Sequence, residues 1–106
     1  MENVYISAYA EDSWITYKKD QEEVKSFVLK KGRTLLIRGK EIRLILGNAN
    51  ATKIFYNNEL IDIQSKSGVK SLVFPETANQ KYKIPLFIYN EKKGQFLPSD
   101  EVKVSP

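Results

Sequence analysis

The sequence contains no cysteine and no histidine. Disulfide bonds are therefore excluded, and so are zinc sites built from thiolates or imidazoles. Nucleophilic catalysis by a Ser-His or Cys-His pair is excluded because its base is missing. Neither a glycine-rich phosphate loop nor a calcium-type loop of alternating Asp and Asn occurs. We therefore predict no catalytic residue, no metal and no cofactor.

Long apolar runs are also missing. No stretch approaches the ~20 apolar residues that a membrane-spanning helix needs, and the start of the sequence lacks the charged and apolar parts of a signal peptide. No stretch shows helical periodicity over three turns. One domain is expected for 106 residues, a length that can bury one hydrophobic core without disulfides.

Positive charge is in moderate excess, with seventeen Lys and Arg residues against thirteen Asp and Glu. A dense group of basic residues is suited to binding a phosphate or an anionic polymer. It equally suits a solvated face that keeps a small domain soluble, and this is the favoured interpretation. The densest basic group consists of Lys30, Lys31, Arg33, Arg38, Lys40 and Arg43.

The stretch from residue 41 to residue 60 organises the chain. In the run 42–46 every second residue, at positions 42, 44 and 46, is Ile or Leu. This period of two predicts a strand with one buried face and with Arg43 on the outer face. Gly47 and Asn48 then break the run with the two residue types that best tolerate a left-handed backbone. We therefore predict a sharp corner after this strand.

Turn signals divide the rest of the chain into short strands. The pair Asn57-Asn58 suits a tight hairpin turn with positive φ, and Pro75 stops a strand because it has no amide hydrogen. Several short strands at about ten-residue spacing are typical of an all-β sandwich or small barrel. We predict a β-sandwich domain over residues 1–75, followed by an extension over 76–106 with one or two edge strands and a flexible tail.

Aromatic residues are frequent on the predicted strands. They fit a buried core and cross-strand pairs, which is the favoured interpretation, with Trp14 anchoring the core. Exposed aromatics interleaved with Lys and Arg could instead stack on sugar rings, or on the bases of single-stranded nucleic acid bound to an OB-type barrel. The residues concerned are Tyr5, Tyr9, Trp14, Tyr17, Phe55, Tyr56, Tyr82, Phe87 and Tyr89.

An ordered series of short motifs lies between Val4 and Phe74. The motifs are Ser13-Trp14-Ile15, Leu29-Lys30-Lys31-Gly32, the run 42–46 with Gly47-Asn48-Ala49, Asn57-Asn58-Glu59-Leu60-Ile61, and Gly68-Val69 with Leu72-Val73-Phe74. In this order the sequence resembles the extracytoplasmic C-terminal domain of RodZ-type bacterial cytoskeleton proteins. Asn58 stands where that family usually has glycine, which weakens the expected hairpin without removing it.

The resemblance implies a small two-sheet antiparallel sandwich, immunoglobulin-like, with about seven or more short strands. It also implies a non-enzymatic domain outside the cytoplasmic membrane, as part of a single-pass cell-shape protein that acts in wall elongation. Full-length members look like a cytoplasmic helix-turn-helix domain, a membrane helix, a linker and this β domain. The implied partners are wall-elongation membrane proteins or peptidoglycan. Nucleic acid is not expected as a partner. Attachment to the membrane is expected only through an upstream segment.

The residues singled out fall into two groups. The first group is expected to shape the fold, and the second to lie on the surface and make contacts. A carbohydrate- or peptidoglycan-binding module and an OB-like single-strand binder remain the alternative functions. The structural markers are Trp14, Leu44, Leu46, Gly47, Asn48, Ala49, Asn57, Asn58 and Gly68. The expected surface contacts are Tyr9, Tyr17, Arg38, Lys40 and Arg43.

Overall fold

The computed structural model describes residues 1–82 and 84–101. In this part of the chain ten strands and three short 3-10 helices follow one another. The strands are β1 (Glu2–Ser7), β2 (Ser13–Lys19), β3 (Lys25–Leu29), β4 (Thr34–Gly39), β5 (Ile42–Leu46), β6 (Lys53–Tyr56), β7 (Glu59–Ile61), β8 (Lys70–Phe74), β9 (Phe87–Asn90) and β10 (Gln95–Pro98). The 3-10 helices are η1 (Ala49–Ala51), η2 (Glu76–Lys81) and η3 (Ser99–Glu101).

Two antiparallel four-stranded sheets form a sandwich. The first sheet has the strand order β4-β1-β6-β7 and the second has the order β3-β2-β5-β8. Strands β9 and β10 pair with each other in a small third sheet. The predicted all-β, two-sheet antiparallel fold with seven or more strands is confirmed; its immunoglobulin-like character stays a prediction.

The main core lies between the two four-stranded sheets. Alternate residues of the central strands point into it and are fully buried, as the period-2 patterns predicted. Burial of each Ile or Leu side chain contributes about 1.5 to 3 kcal/mol to the hydrophobic driving force. The largest of these side chains are Ile6, Ile15, Ile42, Leu44, Leu46 and Ile54.

Strand β5 is buried on both faces, and here the prediction of one buried face is wrong. Arg43 and Ile45 were expected to face solvent, but each is only 5 % exposed. The cause lies later in the chain, because residues 76–101 pack over the outer face of the second sheet. There Ile45 forms a second apolar cluster with Val73, Ala78, Leu86 and Phe87.

We call residues 76–101 of the described chain the third layer. It contains η2, the hairpin of β9 and β10, and η3. The division into a domain over 1–75 and an extension over 76–106 stays a prediction. The flexible tail was predicted to begin past Ser99, but residues 99–101 form η3. The rest of the predicted tail, with its apolar Val102 and Val104, lies outside the described residues.

The corner after β5 is formed differently from the prediction. Positive φ occurs at three other glycines but not at Gly47, and Asn48 has a φ of −140°. Gly47 donates its amide hydrogen to the carbonyl of Trp14 at 2.9 Å. A Cβ atom built on Gly47 would lie 1.8 Å from the Trp14 indole. Glycine is therefore needed here because a ring lies against the backbone.

Trp14 itself does not lie in the main core. It is half-buried on the outer face of the second sheet and packs against the apolar cluster of the third layer. The prediction that Trp14 anchors the core is wrong, because β2 turns this side chain to the opposite face from the buried Ile15.

The predicted hairpin at Asn57-Asn58 is confirmed. The two residues have φ angles of 49° and 72°, and they join β6 to β7. The side-chain oxygen of Asn57 also accepts a hydrogen bond from the Asn3 amide at 2.8 Å. Asn is one of the few residue types that adopt this backbone without large strain.

Candidate interaction surface

The five residues expected on the surface divide into two groups. Tyr9, Arg38 and Lys40 are exposed. Tyr17 and Arg43 are only 7 % and 5 % exposed, so the expectation of surface contact is wrong for both. Tyr17 points into the main core, and Arg43 is covered by the third layer.

The first sheet presents an apolar row on its outer face. Register places Leu36 opposite Tyr5, Tyr5 opposite Phe55, and Phe55 opposite Leu60, so the four side chains cross all four strands. Leu36 and Leu60 are 56 % and 60 % exposed, and the rings of Tyr5 and Phe55 lie 6.1 Å apart. We call these four residues the apolar row.

Two cations flank the apolar row, and three more lie in the turns before and after β4. Arg38 and Lys53 lie on the same face of the sheet, in the rows on either side, and Lys53 lies 4.6 Å above the Tyr9 ring. We call the five cations the basic margin: Lys31, Arg33, Arg38, Lys40 and Lys53. In the described part of the chain none of these five forms an ion pair.

The basic margin is only partly what the sequence indicated. Four of its members come from the dense basic group, because β4 and its two flanking turns carry them. Lys30 is instead paired with Asp12 at 3.5 Å, and Arg43 is buried. Lys53 was missed, since only the pairing of β6 with β1 brings it to this face.

A second group of aromatic side chains lies on the opposite side of the molecule. The Phe96 ring stacks on Trp14 at 5.1 Å and meets the edge of Tyr89 at 5.3 Å. Tyr89 is exposed, whereas the other two rings are half-buried. A shallow cavity of about 200 Å³ beside them is also lined by Thr16 and Ser26.

Comparison with known proteins identifies the family. A family model described as the RodZ C-terminal domain matches residues 8–72, which is more than half of the chain. The chain belongs to this family. The RodZ C-terminal domain is a structural cell-shape family, so the chain is a domain of a cell-shape protein. Searches of curated proteins and of solved structures found no significant match.

The predicted structural markers all lie inside the RodZ C-terminal domain match. Leu44, Leu46 and Ala49 are completely buried in the main core. The Ala49 amide donates to the carbonyl of Gly68 at 2.7 Å, which ties η1 to the turn before β8. Gly68 has a φ of +81°, a conformation that glycine adopts without a Cβ penalty.

Asn48 has a structural role in the RodZ C-terminal domain. Its backbone amide donates to the Ser13 hydroxyl at 3.1 Å. Its side-chain amide donates to the Asp12 carbonyl at 3.1 Å and to the Glu11 carboxylate at 3.2 Å. These bonds fasten the corner after β5 to the turn before β2. The backbone and side-chain amides of Asn48 thus donate their hydrogen bonds to groups within the chain.

The third layer lies outside the RodZ C-terminal domain match, and Arg43 fastens it to the sandwich. The guanidinium carbon of Arg43 lies 4.2 Å from the centre of the Tyr82 ring. Its Nη1 donates to the Asp100 carboxylate at 2.9 Å. A buried cation needs such partners, because removal from water is costly. The charge of Arg43 on the outer face of β5 is therefore compensated from the third layer.

Glu41 provides a second attachment beside Arg43. The Tyr82 hydroxyl donates a hydrogen bond to the Glu41 carboxylate, and Lys81 lies 3.2 Å from the same group. Further along, Lys18 of β2 pairs with Glu101 at 3.0 Å. The sequence did not indicate these contacts, because each joins residues that are far apart in the chain.

The hydrogen bond between Tyr82 and Glu41 predicts an alkaline loss of stability. Burial, and then this bond, raise the pKa of Tyr82 to about 12; burial and Glu2 raise the pKa of Tyr56 to about 12. A phenol whose pKa rises above its ordinary 10 on folding stabilises the fold fully below pH 10. That contribution is lost as the pH rises towards 12.

We expect the free energy of unfolding, measured in urea, to fall as the pH rises above 10. Tyr82→Phe and Tyr56→Phe should each reduce this slope, and the double variant should remove more of it than either single variant. An alkaline slope that is the same in the wild type and in the double variant would contradict the assignment.

Two further observations concern the described residues alone. Between residues 1 and 101, Lys83 aside, no group of three or more acidic residues is placed to hold a metal ion. The helices in the same part of the chain are too short, and too little apolar, to cross a membrane.

Proposed function

We propose that this chain is the extracytoplasmic, non-enzymatic interaction domain of a membrane-anchored cell-shape protein. The observation that carries the proposal is the family match over residues 8–72. The position outside the cytoplasmic membrane, and the part in rod morphology and wall elongation, are inferred from what the resemblance implies. An immunoglobulin-like sandwich is also part of the proposal, and the two antiparallel four-stranded sheets support it.

The exposed face of the first sheet supports an interaction role. Single exposed apolar residues are ordinary on protein surfaces, but a contiguous apolar patch rimmed by polar groups marks an interaction site. The apolar row is continuous across four strands, and Arg38 and Lys53 of the basic margin lie in the rows on either side of it. We propose that partners drawn from wall-elongation membrane proteins, or peptidoglycan, bind the domain at its surface.

The location can be tested because the chain has no cysteine. Lys66 lies exposed in the loop before β8, so Lys66→Cys introduces a single reactive thiol without disturbing the core. In intact cells that carry the full-length protein, with every cysteine outside this chain replaced by serine, we expect a charged maleimide that does not cross the cytoplasmic membrane to label this thiol. The same cysteine-free protein without Lys66→Cys is the unlabelled control. Labelling that appears only after lysis would overturn the extracytoplasmic placement.

The role in cell shape is tested by removing the domain. We expect cells whose gene lacks the codons for residues 1–106 to lose rod shape or to mislocalise the elongation machinery. A matched control replaces the domain with an unrelated small β-sandwich, which preserves bulk but not surface chemistry. Normal shape and localisation in both strains would overturn the proposal.

A carbohydrate-binding role is the second candidate, and the aromatic group beside the shallow cavity is the observation that favours it. Sugar rings bind by stacking their apolar faces on aromatic side chains, and the exposed hydroxyl of Ser26, which shares a hydrogen bond with the buried Thr16 at 2.8 Å, is the polar group beside them. Trp14 is the only tryptophan in the chain, so its fluorescence reports on this site alone. A shift on adding peptidoglycan fragments, abolished by Tyr89→Ala, would establish this candidate; no shift would eliminate it.

The nucleic-acid alternative has lost its structural basis. It required an OB-type barrel with a stacking surface. In the described residues the strands form separate sheets rather than one closed barrel. Of the aromatic side chains on the second sheet, Tyr17 and Phe74 lie in the main core and Trp14 packs against the third layer.

A further inference from the structure

We infer that the free edge of β4, together with the apolar row, binds an extended acidic segment of a partner protein as an added strand. The inference rests on the proposed function, and it specifies the surface and the partner's chemistry. Three features of the structure support it: an open strand edge, an apolar row beside that edge, and an excess of one charge around both.

The edge of β4 is open. This strand pairs with β1 alone, and in an antiparallel pair alternate amide and carbonyl groups point away from the partner. Among the described residues, no hydrogen bond outside the β ladders uses the backbone of residues 34–39. Unpaired backbone groups in a row are a template for another strand.

The other edges suit a partner strand less well. Strand β7 has only three residues, and η2 packs against β8. Strand β3 is open and carries the exposed Phe27 and Val28, but it has only five residues, and Lys30 after it is paired with Asp12. Of the edge strands, β4 alone combines six residues with an exposed apolar neighbour row; it carries Arg38 and is flanked by Arg33 and Lys40.

The charges select the kind of strand. A second copy of this chain would bring Arg38 of β4, with Arg33 and Lys40 beside it, against the same cations of the other copy, and like charges across a strand pair are destabilising. An acidic segment instead meets Arg33, Arg38 and Lys40 along the edge, none of which has an ion-pair partner among the described residues. Two carboxylates lie close to this edge, and both already accept hydrogen bonds within the chain. Asp20 accepts from the backbone amide of Lys40, and Glu2, in register with Gly39, accepts from Tyr56.

The apolar row argues for a polypeptide rather than an anionic glycan. Side chains of an added strand alternate between its two faces, so every second residue can extend the row beyond Leu36. A glycan would use the cations but would leave the backbone groups of β4 unpaired. The row then supplies affinity, and the basic margin supplies selectivity and rate of encounter.

The test uses the whole chain and a short synthetic peptide in which glutamate alternates with valine. By backbone amide NMR, we expect the largest shifts at residues 34–38, with binding that weakens as salt is added. The same peptide with N-methyl groups along one edge cannot complete a ladder, and the peptide with lysine in place of glutamate has the wrong charge. Both should bind at least about tenfold more weakly.

Matched variants localise the effect. Arg38→Glu and Leu36→Ser should each weaken binding about tenfold, while Lys25→Glu and Val28→Ser on the open edge of β3 should leave it unchanged. Equal binding of the N-methylated or lysine peptide overturns the inference. The inference is also overturned if the largest amide shifts lie on β3. It is overturned as well if peptidoglycan fragments compete with the peptide and shift the same amides of β4.

A cellular arm separates this inference from the proposed function. Cells carrying the Arg38→Glu, Leu36→Ser double variant should show the shape defect of the domain deletion, with the protein present at normal level and folded. If the deletion changes cell shape and the folded double variant does not, this surface is wrong and the proposed function stands. If the deletion itself has no effect, the proposed function is wrong.

Discussion

Gly47→Ala is expected to lower the free energy of unfolding by about 3 kcal/mol, the upper end of overpacking effects. The new methyl carbon would lie 1.8 Å from the Trp14 indole, far inside any real contact distance. The ring cannot retreat cheaply, because Phe96 stacks on its other side at 5.1 Å. The Gly47 amide is bonded to the Trp14 carbonyl, which also limits movement of the backbone. Urea unfolding measures the loss directly.

Two comparisons isolate the steric cause. Gly32→Ala is the control, since Gly32 has a φ of +86° but no atom within 4 Å of a new methyl group. Its cost should be about 1 kcal/mol, from backbone conformation alone. Trp14→Leu in combination with Gly47→Ala should show strong positive coupling, because the clash is then removed. An additive double variant, or equal costs at the two glycines, would contradict the explanation.

The same corner shows what the sequence could and could not predict. That Gly47 ends β5 and changes the chain direction follows from the run of residues around it. The reason for glycine does not, because it depends on a ring carried by another strand. By contrast, the turn at Asn57-Asn58 was predictable together with its backbone angles. Its requirement is local, being set by the twist of two adjacent strands.

Strand β5 illustrates the same limit for burial. Its alternation identifies Leu44 and Leu46 as core residues, and both are fully buried. An alternating pattern concerns one face, and it carries no information about a layer added to the other face by residues far along the chain. Arg43 looked like a surface residue because a charged side chain usually is one. It is buried because Tyr82 and Asp100 come to it from the third layer.

The candidate surface was predictable in part for a similar reason. The cations near β4 stand out in the sequence because they are neighbours in the chain. The apolar row does not, since Leu36, Tyr5 and Leu60 come together only through the registers of three strand pairs. Features that depend on register become visible only when the strand order is known.

Phe87→Ala is expected to lower the free energy of unfolding by about 3 kcal/mol, the cost of a cavity left by a buried aromatic ring. Phe87 is 3 % exposed and packs in the apolar cluster of the third layer with Ile45 and Val73 of the second sheet. Its neighbour Ile88 is 39 % exposed on the other face of β9. Ile88→Ala should therefore cost much less than Phe87→Ala, although both remove a large apolar group from the same strand.

The shape of the unfolding transition decides whether the third layer and the sandwich are one cooperative unit. Trp14 reports on the third layer through its contact with Phe96, while circular dichroism reports on all strands. If Arg43 and Ile45 couple the layers as the structure indicates, the two signals should change together in the wild type and in Phe87→Ala. An early fluorescence transition with unchanged dichroism would instead mean that residues 76–101 detach alone. The boundary predicted at residue 75 would then divide two units of stability.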